Sequence, residues 1–284
     1  MDTIEGRFQE VTHMITSTSN DRVKKVVSYV EKSKARREDG VFVIEGMKML
    51  REAPVLQVQE VYVTERFLDT AGEDDKEILW RYGAETVSDE VMKKMSDTQT
   101  PQGVLAVMRQ YEYSLEEVLE GYNQSTSDQG KDTAPLILIL ENIQDPGNLG
   151  TMLRSGEGAG VTGVIMSKGT ADIYNPKVIR STMGSVFRMP FIYVEDLPSM
   201  VKELNSKGIH TYAAHLKGQK NYDEFDYTEP TAFLIGNEGN GLTKETADAA
   251  ETYVLIPMKG EVESMNAATS SAILTFEASR QRRG

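Results

Sequence analysis

Residues 136–154 read Leu136-Ile137-Leu138-Ile139-Leu140-Glu141-Asn142-Ile143-Gln144-Asp145-Pro146-Gly147-Asn148-Leu149-Gly150-Thr151-Met152-Leu153-Arg154. Five consecutive β-type apolar residues fit a strand covered on both faces, the habit of parallel sheets. The run stops at a polar turn with Pro and Gly, and a helix is expected from about Asn148. The same alternation continues downstream. Strands are expected over 161–166, 210–214, 232–235 and 253–256, with helices over 176–182, 197–206 and 264–280. Such alternation predicts a mostly parallel α/β sheet with helices on both faces.

Upstream the reading is similar but smaller. Ser19-Asn20-Asp21 is a helix-cap signal leading to Val23, Val26, Val27 and Val30 at helical spacing. Strands are expected over 41–44, 58–63 and 104–108. The chain thus divides into an N-terminal extension (1–14), a small α/β domain (15–110), an acidic linker (111–134) and a larger α/β domain (135–284). The linker carries six acidic residues and few β-branched apolar ones, so it lacks the material for a core, apart from one helix over 115–119.

Composition narrows the chemistry. With no cysteine there are no disulfides, thiolate nucleophiles or Cys-based metal sites. Three scattered histidines (His13, His210, His215) do not suggest a metal site either, so no metal is expected. No apolar run approaches the roughly 18 residues that span a bilayer. The acidic start lacks a signal-peptide core, and the expected location is the cytoplasm. The net charge of −13 weighs against a nucleic-acid partner, yet residues 22–37 gather Arg22, Lys24, Lys25, Lys32, Lys34, Arg36 and Arg37 against Glu31 alone. A patch of that density is either a solvated helix face or a phosphate contact.

Three polar segments each begin where an apolar β-type run stops. They are Asn148 with Arg154, then Gly236-Asn237-Glu238-Gly239-Asn240-Gly241, then Ser264-Met265-Asn266. Ligand sites of open α/β sheets collect at the carboxyl ends of strands, so these segments are read as one pocket. It is not a standard nucleotide site. Gly156-Glu157-Gly158-Ala159-Gly160-Val161 has Val161 where a third dinucleotide-binding glycine belongs, and it closes a helix instead of opening one. Residues 236–243 place Leu242 where a phosphate loop needs lysine.

Asp145-Pro146-Gly147-Asn148-Leu149-Gly150 through Arg154, Gly236–Leu242, and Ile256-Pro257 followed by Glu263-Ser264-Met265-Asn266 together resemble the three motifs of the SpoU/TrmH family. These are RNA ribose 2′-O-methyltransferases of the SPOUT group. Asn175-Pro176-Lys177 with Ser181-Thr182-Met183-Gly184-Ser185 is similar to the family's middle segment, and Arg280-Gln281-Arg282 to its closing helix. Residues 17–37 and Phe42-Val43-Ile44-Glu45-Gly46 resemble the substrate-binding domain often fused ahead of the catalytic one. Met265 stands where leucine is commoner and Ala267 where valine is usual; both stay apolar.

The resemblance implies a deep C-terminal trefoil knot, a homodimer through the C-terminal domain, and S-adenosylmethionine as cofactor. It implies methyl transfer to a ribose 2′-hydroxyl of structured RNA. Ribosomal RNA is favoured; transfer RNA, or a non-catalytic RNA- or ribosome-binding protein that kept the fold, are the alternatives. Arg154, Asn148, Glu238, Ser264 and Asn266 take the catalytic positions. Leu234, Ile235, Gly236, Asn237, Gly241, Ile256, Pro257, Met258, Met265 and Asn266 take the cofactor positions. Lys24, Lys25, Lys34, Arg36 and Arg37 are assigned to RNA. Arg154 reads two ways: a base whose pKa is depressed in a dry pocket, or a cation gripping phosphate and the forming alkoxide. Asn148 and Ser264 each have a plain helix-capping reading beside the functional one.

Overall fold

Asn20 does what its position suggests. Its side chain accepts the Arg22 N–H at 2.9 Å, and helix α1 (Asp21–Glu31) follows with Val23, Val26 and Tyr29 buried. The computed structural model describes residues 14–121, 134–261 and 264–283. It forms two units, the first comprising the chain up to Tyr111 together with Tyr174–Phe187, the second Glu112–Ile173 with Arg188–Gly284.

In the first unit, α2 (Ser33–Asp39), β1 (Val41–Glu45), α3 (Met47–Glu52), β2 (Val58–Thr64), α4 (Glu65–Thr70), α5 (Glu73–Arg81), β3 (Glu85–Val87), α6 (Asp89–Met95) and β4 (Val104–Arg109) follow in order. The sheet runs β1-β4-β2-β3. Strand β4 is antiparallel to both neighbours, and β2 pairs parallel with β3. Valines of α1 pack with Val91, Met92 and Met95 of α6 against the sheet, so these two helices share one apolar floor.

The second unit opens with α7 (Leu115–Glu120), where Ser114 and Glu117 form a capping box and Val118 is buried. A Cβ at Gly163 would lie 2.5 Å from the Val118 carbonyl oxygen, so glycine is what lets α7 approach the sheet. Helix α7 therefore packs with the second unit, upstream of the boundary at 135 drawn from composition; residues 122–133 of that acidic segment lie outside the described residues. Next come β5 (Leu136–Leu140), α8 (Pro146–Ala159) and β6 (Gly163–Ser167). The chain then leaves for the first unit over residues 174–187, including α9 (Pro176–Thr182), where the Tyr174 ring lies 4.7 Å from that of Phe42. It returns as β7 (Phe191–Val194), α10 (Leu197–Ser206), β8 (His210–Ala214), β9 (Lys220–Asn221), β10 (Thr231–Ile235), α11 (Lys244–Ala249), β11 (Thr252–Leu255) and α12 (Ala267–Arg282).

Strand order is β7-β6-β5-β10-β8-β11-β9, and every pairing is parallel. β5 and β10 are buried along their whole length, which explains their unbroken apolar sequences. From β5 the chain builds outward through β6 to β7, then crosses to the other side and inserts β10 beside β5. The order reverses there, and parallel sheets open a ligand crevice at such a point.

Candidate active site

The residues that leave β5 and β10 at this crevice are polar, and they are wired together. Gly236 ends β10 in a place where no side chain fits: a Cβ would meet the Gly241 carbonyl carbon and the Leu242 nitrogen at 2.1 Å. The loop closes on itself through two backbone hydrogen bonds between Asn237 and Gly241, of 3.0 and 2.9 Å, and Gly241 turns with φ of 69°. The Asn237 side chain accepts the N–H groups of Gly239 and Asn240 and donates to the Asn142 carbonyl at 2.8 Å. The loop is thereby fixed from inside.

Glu238 projects from it toward the start of α8. Its Oε2 accepts the Gln144 N–H at 3.1 Å; its Oε1 accepts the Asp145 N–H at 3.1 Å and the Asn148 amide at 3.0 Å. An acceptor-only carboxylate forces Asn148 to present its NH₂ to Glu238, leaving its oxygen for the next partner. That partner is the Asn266 amide, which donates to Asn148 Oδ1 at 3.0 Å. Asn266 in turn caps α12, accepting the Ala268 and Thr269 N–H groups at 2.9 and 3.2 Å. One chain of hydrogen bonds, Glu238–Asn148–Asn266, thus joins all three polar segments. Partial burial works against ionisation of Glu238, but the donors from Asn148, Gln144 and Asp145 prevail and hold its carboxyl below the usual range.

The capping readings are settled by neighbours. Asp145 caps α8, accepting the Asn148 N–H at 2.8 Å, which leaves the Asn148 side chain for the chain just described. Asn266, not Ser264, caps α12. Deeper in the sheet, the buried Glu141 carboxylate accepts the Thr243 N–H and hydroxyl at 2.7 and 2.8 Å and ties β5 to the loop leaving β10.

Beside the Glu238 loop lies a cavity of about 330 Å³. Ile235, Gly236, Asn237, Gly241, Ile256, Met258 and Met265 line it, as do Glu238 and Ser264. Three expected cofactor residues do not: Leu234 is fully buried in the core between sheet and helices, Pro257 is exposed away from the lining, and Asn266 is the third. Asn266 is committed to the hydrogen-bond chain. The sequence reading missed Ala214, which ends β8, and His215 and Leu216, which follow it. Their signal was available: they stand at the carboxyl end of a strand adjacent to β10. His215 stacks on Tyr253 at 4.8 Å, and its Nδ1 accepts the Lys217 N–H at 3.0 Å.

Arg154 stands apart. Six residues beyond Asn148 on α8, it is about 9 Å farther along the axis and on another face of the helix. It is exposed, its side chain has no hydrogen bond or ion pair among the described residues, and it does not line the cavity. Its guanidinium is available to a partner from outside.

The basic segment of the first unit looks different from its sequence. Arg36 is only 3% exposed, and its guanidinium donates to the Tyr29 and Val30 carbonyls at 2.6 and 3.2 Å. It staples α2 to α1, so its assignment to RNA is corrected: a buried donor with carbonyl partners cannot reach a phosphate. Lys25 pairs with Asp39 at 3.3 Å, Lys34 with Glu38 at 3.6 Å and Lys24 with Asp21 at 3.0 Å. Arg37 is exposed and without an ion pair among the described residues. Among those residues no group of three or more His, Asp or Glu is arranged to hold a metal ion, and no helix is long and apolar enough to cross a membrane.

With the geometry in place, comparison with known proteins is informative. Residues 135–276 match the model of the SpoU rRNA Methylase family, and residues 20–106 match an MRM3-like substrate binding domain. The chain is similar to the 23S rRNA (guanosine(2553)-2′-O)-methyltransferase RlmP of Bacillus subtilis, 32% identical over 92% of this chain and 97% of that protein. It is 30% identical to the human mitochondrial rRNA methyltransferase 3, over 93% of this chain and 73% of the human protein. Among solved structures, an AdoMet-bound rRNA methyltransferase from Sinorhizobium meliloti superposes with a TM-score of 0.79 at 27% identity, covering 94% of this chain and 97% of that one.

Proposed function

The chain belongs to the SpoU rRNA methylase family, and from that premise we propose that it transfers a methyl group from S-adenosylmethionine to a ribose 2′-hydroxyl of ribosomal RNA. The observation that carries this reading is the Glu238–Asn148–Asn266 chain at the rim of the 330 Å³ cavity. Three segments distant in sequence meet at the point where strand order reverses.

The residues fit the cofactor. The cavity is at the lower end of the roughly 300–1,000 Å³ of small-molecule sites. Ile235, Ile256, Met258 and Met265 supply an apolar wall for the adenosine, while the exclusion of any Cβ at Gly236 brings bare backbone to the lining. Bound there, S-adenosylmethionine supplies a methyl group activated by its sulfonium sulfur.

The protein supplies position and field. In-line placement of two reactants is worth on the order of 7–11 kcal/mol of barrier. Glu238, held below the usual carboxylate range, is a weak base with its lone pairs engaged; it orients Asn148 and the turn before α8. Ser264 faces the cavity with its hydroxyl free of the cap and is placed to hold ribose or phosphate. An exposed guanidinium offers five donors and no acceptor, so Arg154 grips an RNA phosphate and stabilises the forming alkoxide. The C-terminal knot, the homodimer through the second unit and a cytoplasmic location belong to the same proposal, supported by family membership.

Incubation with methyl-labelled S-adenosylmethionine and ribosomal RNA, followed by alkaline hydrolysis, tests it. Label is expected in an alkali-stable dinucleotide, the signature of a methylated ribose. Label only in transfer RNA would reassign the substrate. Binding of RNA with no label in either would leave a non-catalytic binder.

A further inference from the structure

Lys24 and Lys32 of the basic segment meet a third cation, Lys94, that the sequence did not single out. Along α1, Lys24, Val27, Ser28 and Glu31 recur at three- and four-residue spacing and share one face, and Lys32 follows in extended conformation just past its C-terminal end. That face forms one wall of a groove of about 160 Å³, with Thr18 at its head and Lys94, from the last turn of α6, opposite. Both helices are anchored through buried valines and methionines beneath the groove, so its walls are fixed.

The groove is a cationic site. Lys32 and Lys94 are exposed and have no ion pair among the described residues. Among the described residues Lys24 pairs only with Asp21, itself 98% exposed, and a pair so open to water gives the ammonium up cheaply. Among the described residues Glu31 is the single acid on the lining. The Ser28 hydroxyl donates to the Lys25 carbonyl at 2.6 Å, which leaves Thr18 as the neutral donor.

We propose that this groove binds the phosphodiester backbone of the RNA substrate, with Lys32 and Lys94 as its main contacts and Lys24 as a third. The inference rests on the proposed function for the identity of the polyanion; of the residues assigned to RNA from the sequence it keeps Lys24 and sets aside Lys25, Lys34 and Arg36. Flexible ammonium groups over an open groove suit a backbone read without base specificity.

The test compares Lys32→Ala/Lys94→Ala with Lys25→Ala/Lys34→Ala, each removing two lysines. Binding of protein-free ribosomal RNA is measured across a salt series, with KM, kcat and cofactor affinity alongside. The groove variant is expected to raise Kd and KM about tenfold and to flatten the logarithmic salt slope by about 1.5, because each lost phosphate contact removes roughly 0.7 to 0.9. kcat and cofactor affinity should hold, and Lys32→Arg/Lys94→Arg should restore the slope. The paired-lysine variant should change little. Lys94 also complements the C-terminal end of the α6 dipole. A groove variant that lowers only the melting temperature, an unchanged slope, or equal losses in both variants would overturn the proposal. Absence of methyl transfer by the wild type would instead strike the parent reading, and the binding series still decides the groove.

Discussion

Two regions of this molecule are rich in polar side chains, and they spend them differently. In the crevice of the second unit, Asn148 bonds to Glu238 and to Asn266 across 90 and 118 residues of sequence, at the carboxyl ends of parallel strands. In the helices of the first unit, Lys24, Lys25 and Lys34 bond to acids close in sequence or space, and Arg36 to carbonyls of its own helical hairpin. The first arrangement orients groups toward a cavity. The second neutralises charge where it stands. Residue type is informative when topology forces distant residues together, and much less so when a helix face can satisfy itself.

That contrast can be broken or sharpened by substitution. The largest effect is expected from Arg154→Ala, which should lower kcat by 10²-fold or more, the scale of removing a transition-state donor. Cofactor affinity should stay within a few-fold, and, because Arg154 is exposed, stability within about 0.5 kcal/mol. Single-turnover transfer beside a cofactor titration separates the two. Gly236→Ala comes next. The Gly241–Leu242 backbone must move to admit the methyl group, so cofactor affinity measured by calorimetry should fall by at least tens of fold.

Asn148→Ala cuts the hydrogen-bond chain at its middle and strands the Asn266 amide. Two exposed bonds at about 0.5–1.5 kcal/mol each give an expected ten- to hundredfold loss of kcat/KM. Asn148→Asp would place a carboxylate against Glu238 and should be worse than alanine. If both variants match the wild type, the chain of hydrogen bonds is incidental.

The pH dependence has a definite sign. Because the folded carboxyl of Glu238 sits below its ordinary value of 4.5, its contribution is complete above that pH and is lost only as pH falls through the depressed folded value. Glu238→Gln should therefore weaken thermal stability most near neutrality, with the difference from wild type shrinking under strong acid. A difference that grows on acidification would refute the assignment. The smallest effect belongs to Lys25→Ala/Lys34→Ala, where RNA affinity should change less than threefold.

Much of the architecture was legible because parallel sheets advertise themselves. β5 and β10 are apolar at every position since both faces are covered. Helices α9 and α10 carry Asn175-Pro176 and Asp196 with Pro198, start signals that fix their first turns. The short edge strands β7 and β9 were missed, having four and two residues to declare a period. Excursion of residues 174–187 into the first unit leaves no periodic trace either, because it is a property of packing. At the site, the glycine-rich loop and the amides were visible as residue types. Which side chain caps a helix was not, since Asp145 and Asn266 won those roles by backbone placement. Arg36 misled for a related reason: a guanidinium buried against carbonyls has the same letter as one reaching for phosphate.

The central claim, that the cavity at the reversal of strand order is the cofactor site, can be met head on by following methionine methyl resonances during titration with S-adenosylmethionine. Met258 and Met265 line the cavity, whereas Met92 and Met95 lie in the core of the first unit. Saturable shifts at Met258 and Met265 with Met92 and Met95 unmoved are the predicted result. Saturation that leaves the two cavity methionines unchanged, or no binding at all, would contradict the account.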